Sequence, residues 1–261
     1  MGKLRDRFWL WGHPAGAHDN LWNIKGNSRM TPAEGAYYLG VKKVFFVCFG
    51  GNPRPPWDQD AMAMDSMDEV VYSIVGDAGS EVNPETLGHL DEVLRIAEKF
   101  PNTTGAVFDD FFGFGDREKI FTPEVLEKIR DKLHAKNLKM WMAMYQANLI
   151  EKNVPHLAQF DCISVCTWRG EDLPKYEEQI RQGKALIEGK KLYLVCYLYN
   201  YGEKREFKAE DMEYQFNLYA KLIREGVAEG VVLVSNTIAD LGLEAVEYAK
   251  AWMKEHGDEP V

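Results

Sequence analysis

The chain alternates between two hydrophobic patterns. Eight short apolar runs, rich in Val, Phe, Tyr and Trp, recur along it: 7–13, 42–49, 69–76, 104–112, 138–145, 161–168, 190–199 and 230–236. Most are nearly continuous rather than strictly alternating, which predicts strands covered on both faces. Helix-patterned segments lie between them. Thr31-Pro32 with Glu34, Asn83-Pro84, and Thr122-Pro123 each place a capping side chain before a proline and an acidic first turn, a helix-start signal. The third of these carries Val125, Leu126, Ile129 and Leu133 at helical spacing. Three further helical segments, beginning near Leu173, Lys208 and Leu243, follow the last three strands. The Pro- and Gly-rich stretch 50–67 predicts a loop with one short helix.

A helix after each strand carries the chain back, so the strands run parallel. Eight such units in 261 residues predict an α/β protein of the (β/α)8, or TIM, barrel class, one domain over residues 1–261. An open doubly wound sheet would carry a glycine fingerprint after its first strand or a Walker A sequence, and the chain has neither.

Composition narrows the partners. A net charge of −10 argues against a phosphate-backbone partner, which needs a basic surface. Nothing approaches 18 consecutive apolar residues, so no spanning helix and no membrane partner are expected. The first residues lack an apolar signal core, so the expected setting is the cytoplasm or, after removal of a leader, outside it. Cys48, Cys162, Cys166 and Cys196 sit in apolar runs without Cys-x-x-Cys spacing and are expected as buried free thiols. Oligomeric state is not legible.

In this class of barrel the chemistry collects where the strands run out. The residues expected there are His13 and Trp11; Asn52 and Trp57; Asp77; Asp109 and Asp110; Tyr145 and Gln146; Trp168, Arg169 and Glu171; Tyr199, Asn200, Tyr201 and Glu203; Ser235 and Asn236. Aromatics, amides and carboxylates with almost no Lys suit a carbohydrate: aromatic faces stack on sugar C–H patches, and polar groups pair with hydroxyls. His13, Trp57, Tyr145, Trp168, Tyr199, Asn200 and Asn236 are the expected substrate contacts. For Trp57, Tyr199 and Tyr201 a packing role competes. His13 and His18 invite a metal, but four residues including Pro and Gly separate them, and the other histidines fall away from strand ends. No metal or cofactor is expected.

The most informative stretch is Thr103 to Gly115, "TTGAVFDDFFGFG". Alternation would send Asp109 and Asp110 to opposite faces, one toward the helix layer, unless the strand ends there. The expectation is that it ends and both reach the rim. Paired carboxyls suit glycoside hydrolysis, in which one acts as general acid and the other as nucleophile or base. A capping role, or a pairing with Arg117, is the competing structural role.

The segment "TGAVFDDFF" resembles the fourth-strand motif of several (β/α)8 glycoside hydrolases, among them the endo-α-1,4-polygalactosaminidase family. That resemblance implies a catalytic or substrate-binding role for Asp109, with Asp110 beside it. Phe112 stands where chitinase-like enzymes would carry a glutamate. Glu171 is the first choice for the second carboxylate, then Glu203, then Asp77. The expected activity is therefore hydrolysis of an oligo- or polysaccharide. A sugar isomerase or lyase and an inactive carbohydrate-binding barrel are the alternatives.

Overall fold

The computed structural model describes residues 2–261. Strands β1 (Phe8–Gly12), β2 (Lys43–Phe46), β3 (Glu69–Val75), β4 (Thr103–Phe108), β5 (Lys139–Tyr145), β6 (Cys162–Cys166), β7 (Lys191–Tyr197) and β8 (Gly230–Val234) pair in sequence order into a closed parallel barrel. Closure is made by β1, where Leu10 lies opposite Val44 of β2 on one side and Leu233 of β8 on the other. Among the described residues every barrel strand is paired on both edges. Each predicted apolar run holds one strand.

The helices are α1 (Pro32–Leu39), α2 (Asp58–Ala63), α3 (Leu90–Lys99), α4 (Arg117–Ile120), α5 (Pro123–His134), α6 (Val154–Leu157), α7 (Leu173–Gly183), α8 (Ala209–Arg224) and α9 (Glu244–His256). The cap at α1 forms as its sequence predicts. Glu34 N–H donates to Thr31 Oγ1 at 3.3 Å, and Thr31 N–H donates to Glu34 Oε2 at 2.8 Å. In α5 the buried stripe is Leu126, Ile129 and Leu133. The one-turn helices α4 and α6 are too short for periodicity to reveal.

The predicted start at Asn83 does not hold, because α3 begins at Leu90. Asn83 instead caps a local turn, its Oδ1 accepting from Glu85 N–H at 2.9 Å. The chain must first pass close to the end of β3, where His89 N–H donates to Ile74 O at 3.0 Å. Gly88 takes φ 72° there, and a Cβ on it would lie 2.3 Å from Ile74 O. A tertiary contact thus overrides a local cap.

The barrel interior is plugged by rings. Trp141 meets Trp9 at 5.3 Å, Phe45 at 5.1 Å and Tyr193 at 4.5 Å between centroids. Gly105 makes room for it, since a Cβ there would stand 2.8 Å from the Trp141 indole nitrogen. Trp11 packs on Phe45 above this layer, with ring centroids 5.2 Å apart. The aromatic plug closes the barrel from below, and the space above it forms the site.

Candidate functional site

A cavity of about 710 Å³ opens at the C-terminal ends of the strands. Its wall is rich in aromatic rings, among them Trp11, Trp22, Phe49, Phe112, Trp168, Tyr197 and Tyr201. Its carboxylates are Asp77, Asp109 and Asp110, and among the described residues no Lys or Arg lines it.

The two aspartates reach the cavity because β4 ends one residue before them. Asp109 N–H still donates to Val75 O at 3.0 Å, but Asp110 turns to φ 41° and breaks the alternation. Left-handed backbone at a non-glycine costs about 1 kcal/mol, and Asp tolerates it better than most residues. The turn is held by Asp110 N–H donating to Asp109 Oδ1 at 2.9 Å and by Ala78 N–H donating to Asp110 Oδ2 at 2.9 Å. Both side chains line the cavity, half-buried.

Burial, and after it the Asp110 charge, hold the Asp109 carboxyl well above the usual carboxylate range. Burial also raises Asp110, opposed by the Ala78 amide and the Tyr145 hydroxyl, which favour its anion. Neighbouring carboxyls in such a setting titrate as a unit, and the environments favour the proton on Asp109. Arg117 does not pair with either carboxylate; its guanidinium binds their main-chain carbonyls instead.

Asp77 enters from the end of β3. It accepts from Gly50 N–H at 2.8 Å, Ser80 Oγ at 2.7 Å and Gly79 N–H at 3.1 Å. Of the three candidates for a further carboxylate, it is the one on the cavity wall. Glu171 is exposed, paired with Arg169 at 2.5 Å, and its N–H donates to Glu203 Oε1 at 3.0 Å. The structure thus places Glu171 and Glu203 in a surface network away from the cavity wall. The reason is the 3-10 turn Gly170–Asp172, which follows the Trp168 strand end and directs that carboxylate outward.

The predicted substrate contacts divide. His13, Tyr145 and Trp168 line the cavity. Trp168 stacks on Tyr201 at 5.8 Å and 20°, with Tyr145 edge-on at 6.0 Å. Trp57 does not reach the cavity. It is fully buried in the helix layer, stacked on Tyr72 at 6.0 Å, with its indole N–H donating to Pro53 O at 3.0 Å. Tyr199 is also buried, and its hydroxyl donates to Trp22 O at 2.9 Å, so it braces the loop rather than lining the cavity. Asn200 braces the neighbouring loops, its Oδ1 accepting from Glu203 N–H at 3.2 Å and Gly170 N–H at 3.4 Å. Asn236 is fully buried. It accepts from His13 N–H at 2.8 Å and donates to His13 O at 2.9 Å and Met30 O at 2.7 Å.

Both His13 nitrogens are used. Nδ1 donates to Val47 O at 3.0 Å, and Nε2 accepts from the Trp11 indole N–H at 3.2 Å. The ring is therefore neutral with a fixed tautomer, and burial lowers its pKa from 6.5 to about 4. A proton on Nε2 would face the indole N–H. The native state binds fewer protons than the unfolded one between these values, so this group destabilises the fold as pH falls from about 6.5 through about 4. In an NMR titration the His13 ring signals are expected to stay fixed from pH 8 to about 5. Movement near pH 6.5 would show that the Trp11 contact is not made.

Sequence reasoning passed over much of the wall. His18 drew notice only as a metal candidate, yet it lines the cavity, its Nδ1 3.2 Å from the Tyr201 hydroxyl. Trp22, at φ 49° in the loop after β1, packs edge-on to Tyr201 at 5.1 Å. The sequence signal for it is the bulky apolar pair Leu21-Trp22 in a loop rich in polar residues. Among the described residues no group of three or more His, Cys, Asp or Glu is arranged to hold a metal ion. No helix among them is long and apolar enough to cross a membrane.

No protein-family model and no curated protein matches the chain. Solved structures do. The spore cortex-lytic enzyme SleL of Bacillus megaterium QM B1551 is similar at TM-score 0.64 and 12% identity, over 99% of this chain and 75% of that one. The tryptophan synthase A-subunit of Pyrococcus furiosus is similar at TM-score 0.56 and 13% identity, over 98% of both chains. At such identities the likeness establishes the (β/α)8 barrel and no more.

Proposed function

We propose that the chain is a carbohydrate-active hydrolase that cleaves a glycosidic bond, with Asp109 as proton donor and Asp110 as its ionised partner. One observation carries this reading: two neighbouring carboxyls, pushed to hold a proton, project from the end of β4 into an aromatic cavity without a cation on its wall. A carboxyl kept protonated near neutral pH can protonate the leaving oxygen. The anion beside it, held by Ala78 N–H, serves as nucleophile or as base for water. The Trp168–Tyr201 stack supplies the apolar platform for a sugar face. SleL is a lytic enzyme, which agrees with hydrolysis, but the tryptophan synthase subunit shares the fold, so the reaction is argued from the site.

The carboxylates of Asp77 and Asp110, without a wall cation, also set a preference in ligand charge. Neutral oligosaccharides are expected to bind at least about tenfold more tightly than uronic-acid oligosaccharides of equal length, because like charges brought together cost several kcal/mol. Trp22 and Trp168 provide the fluorescence signal for that titration, and release of reducing ends over the same panel reads hydrolysis. Equal affinity for both series, or no reducing ends from any glycan, would overturn the reading.

A further inference from the structure

Arg117 is 2% exposed. Its Nη1 donates to Gly76 O at 2.9 Å, Asp109 O at 2.7 Å and Asp110 O at 3.0 Å. Its Nη2 donates to Asp77 O at 2.6 Å and Ser80 O at 2.9 Å. All five acceptors are main-chain carbonyls, and they belong to the segments that follow β3 and β4. A buried guanidinium normally takes a carboxylate in bidentate geometry. Here it takes the backbone beneath the carboxylates.

We infer that Arg117 is a positioning residue, whose guanidinium ties the ends of β3 and β4 together and so holds Asp109 and Asp110 side by side on the cavity wall. The role presupposes that this pair is the reactive one. The left-handed turn at Asp110 would otherwise relax, since the main-chain bonds that hold it are the Asp110 N–H to Asp109 Oδ1 contact and the Ala78 amide. A lysine offers a point charge and three donors, so it does not reproduce the five-way grip.

The buried charge has a second effect. The titratable groups facing the pair are Asp77 from the β3 end, Tyr145 from β5, Cys166 from β6 and Tyr197 from β7. Burial keeps the phenols and the thiol protonated, and His13, beyond Asp77, is neutral. Arg117 is the cation of this cluster, and it favours the charged form of both Asp109 and Asp110. One negative charge in the pair is thereby stabilised, while burial and mutual repulsion oppose a second. A singly protonated pair is what an acid working beside an ionised partner requires.

Two measurements test this. In the wild-type protein the Arg117 Nη–H resonances are expected to be resolved, protected from solvent exchange, and shifted at the same pH as the carboxyl carbons of the pair. In Arg117→Met the first protonation of the pair on acidification is expected about one pH unit or more higher, and in Arg117→Lys closer to wild type. A purely structural role would lower the melting temperature of both variants and leave the pair's titration in place. Exchange as fast as that of surface arginines, or a Met variant that titrates like wild type, would overturn the inference. Should the Met variant not fold, the wild-type exchange and shift decide. Asp109→Asn separates the two readings: if hydrolysis survives it while the wild-type Arg117 signals follow the pair, Asp109 is removed as proton donor, and Arg117 keeps only its structural hold on the two strand ends. If hydrolysis is lost but the wild-type Arg117 signals exchange freely, Asp109 stands as proton donor and the hold by Arg117 fails.

Discussion

Asp109→Asn is expected to lower glycan hydrolysis by about 10²–10⁴-fold and, at neutral pH, to make the protein more stable. The rate loss is that of a general acid replaced by a group that cannot give up a proton. Geometry should survive, because the amide oxygen can still accept from Asp110 N–H as Oδ1 does now. Ligand affinity should change little, so the loss should appear in kcat. Unchanged hydrolysis would remove Asp109 from the reaction. Binding without turnover by both proteins would define a carbohydrate-binding barrel instead.

The stability gain follows from the same burial. The folded-state pKa of Asp109 is raised above the unfolded carboxylate value of about 3.9. Over the interval between the two, the native state holds more protons than the unfolded one, so wild-type stability falls as pH rises. Above that interval the wild type bears the full penalty of a desolvated anion beside Asp110, and the amide bears none. A gain of about 1 kcal/mol, or roughly 2–4 °C in Tm, is expected at pH 7–8, vanishing below about pH 4. Thermal scans across pH check it, and a variant no more stable than wild type at pH 8 would show that burial does not strain this carboxyl. The slope is opposite to that of His13, so the two are separable by repeating the scans in the Asn variant.

Asn236→Ala is expected to destabilise the fold by about 3 kcal/mol. The side chain is fully buried and makes three hydrogen bonds, to both main-chain groups of His13 and to Met30 O. Truncation leaves one donor and two acceptors without partners in a place water does not reach, at roughly 1–3 kcal/mol for such a group with partial relaxation. No neighbour can collapse easily into the gap, because Gly35 of α1 already packs against this residue. A Cβ on Gly35 would lie 2.6 Å from Asn236 Cβ. The effect should reach the site as well, since Asn236 fixes the backbone from which His13 enters the cavity. Denaturant unfolding measures it; a loss below about 1 kcal/mol would mean that the clamp is replaceable. Gly35→Ala should act on the same contact from the other side.

These residues show how far the sequence was legible. Asn236 and Tyr199 sit where rim residues of a barrel belong, and their types suit a sugar pocket. Position along a strand does not say which way a side chain turns after the strand stops. Both turn into the protein and serve its backbone. Trp57 is a similar case: a Trp in a Pro-rich loop faces solvent or packs, and Tyr72 and Phe46 offer it a buried aromatic slot. Glu171 had the right chemistry near a strand end, but one 3-10 turn carries it to the surface. In the opposite direction, Trp22 and His18 come from a long loop whose path no periodicity encodes, and Tyr199 pins that path by a bond across 177 residues.

Local pattern alone accounts for the eight apolar runs and for most of the helices that return the chain between them, and hence for the order and direction of the strands. Those follow from local periodicity and from the geometric need of parallel strands for crossovers. It also put Asp109 and Asp110 at the end of β4, because two adjacent carboxylates cannot continue a strand that is covered on both faces. Tertiary structure alone decided that both carboxyls face one cavity, that Asp77 rather than Glu171 joins them on its wall, and that a buried Arg117 grips the backbone beneath. Those outcomes depend on a left-handed turn and on contacts between distant loops. Their free energies come from burial and hydrogen bonds that exist only once the barrel has closed.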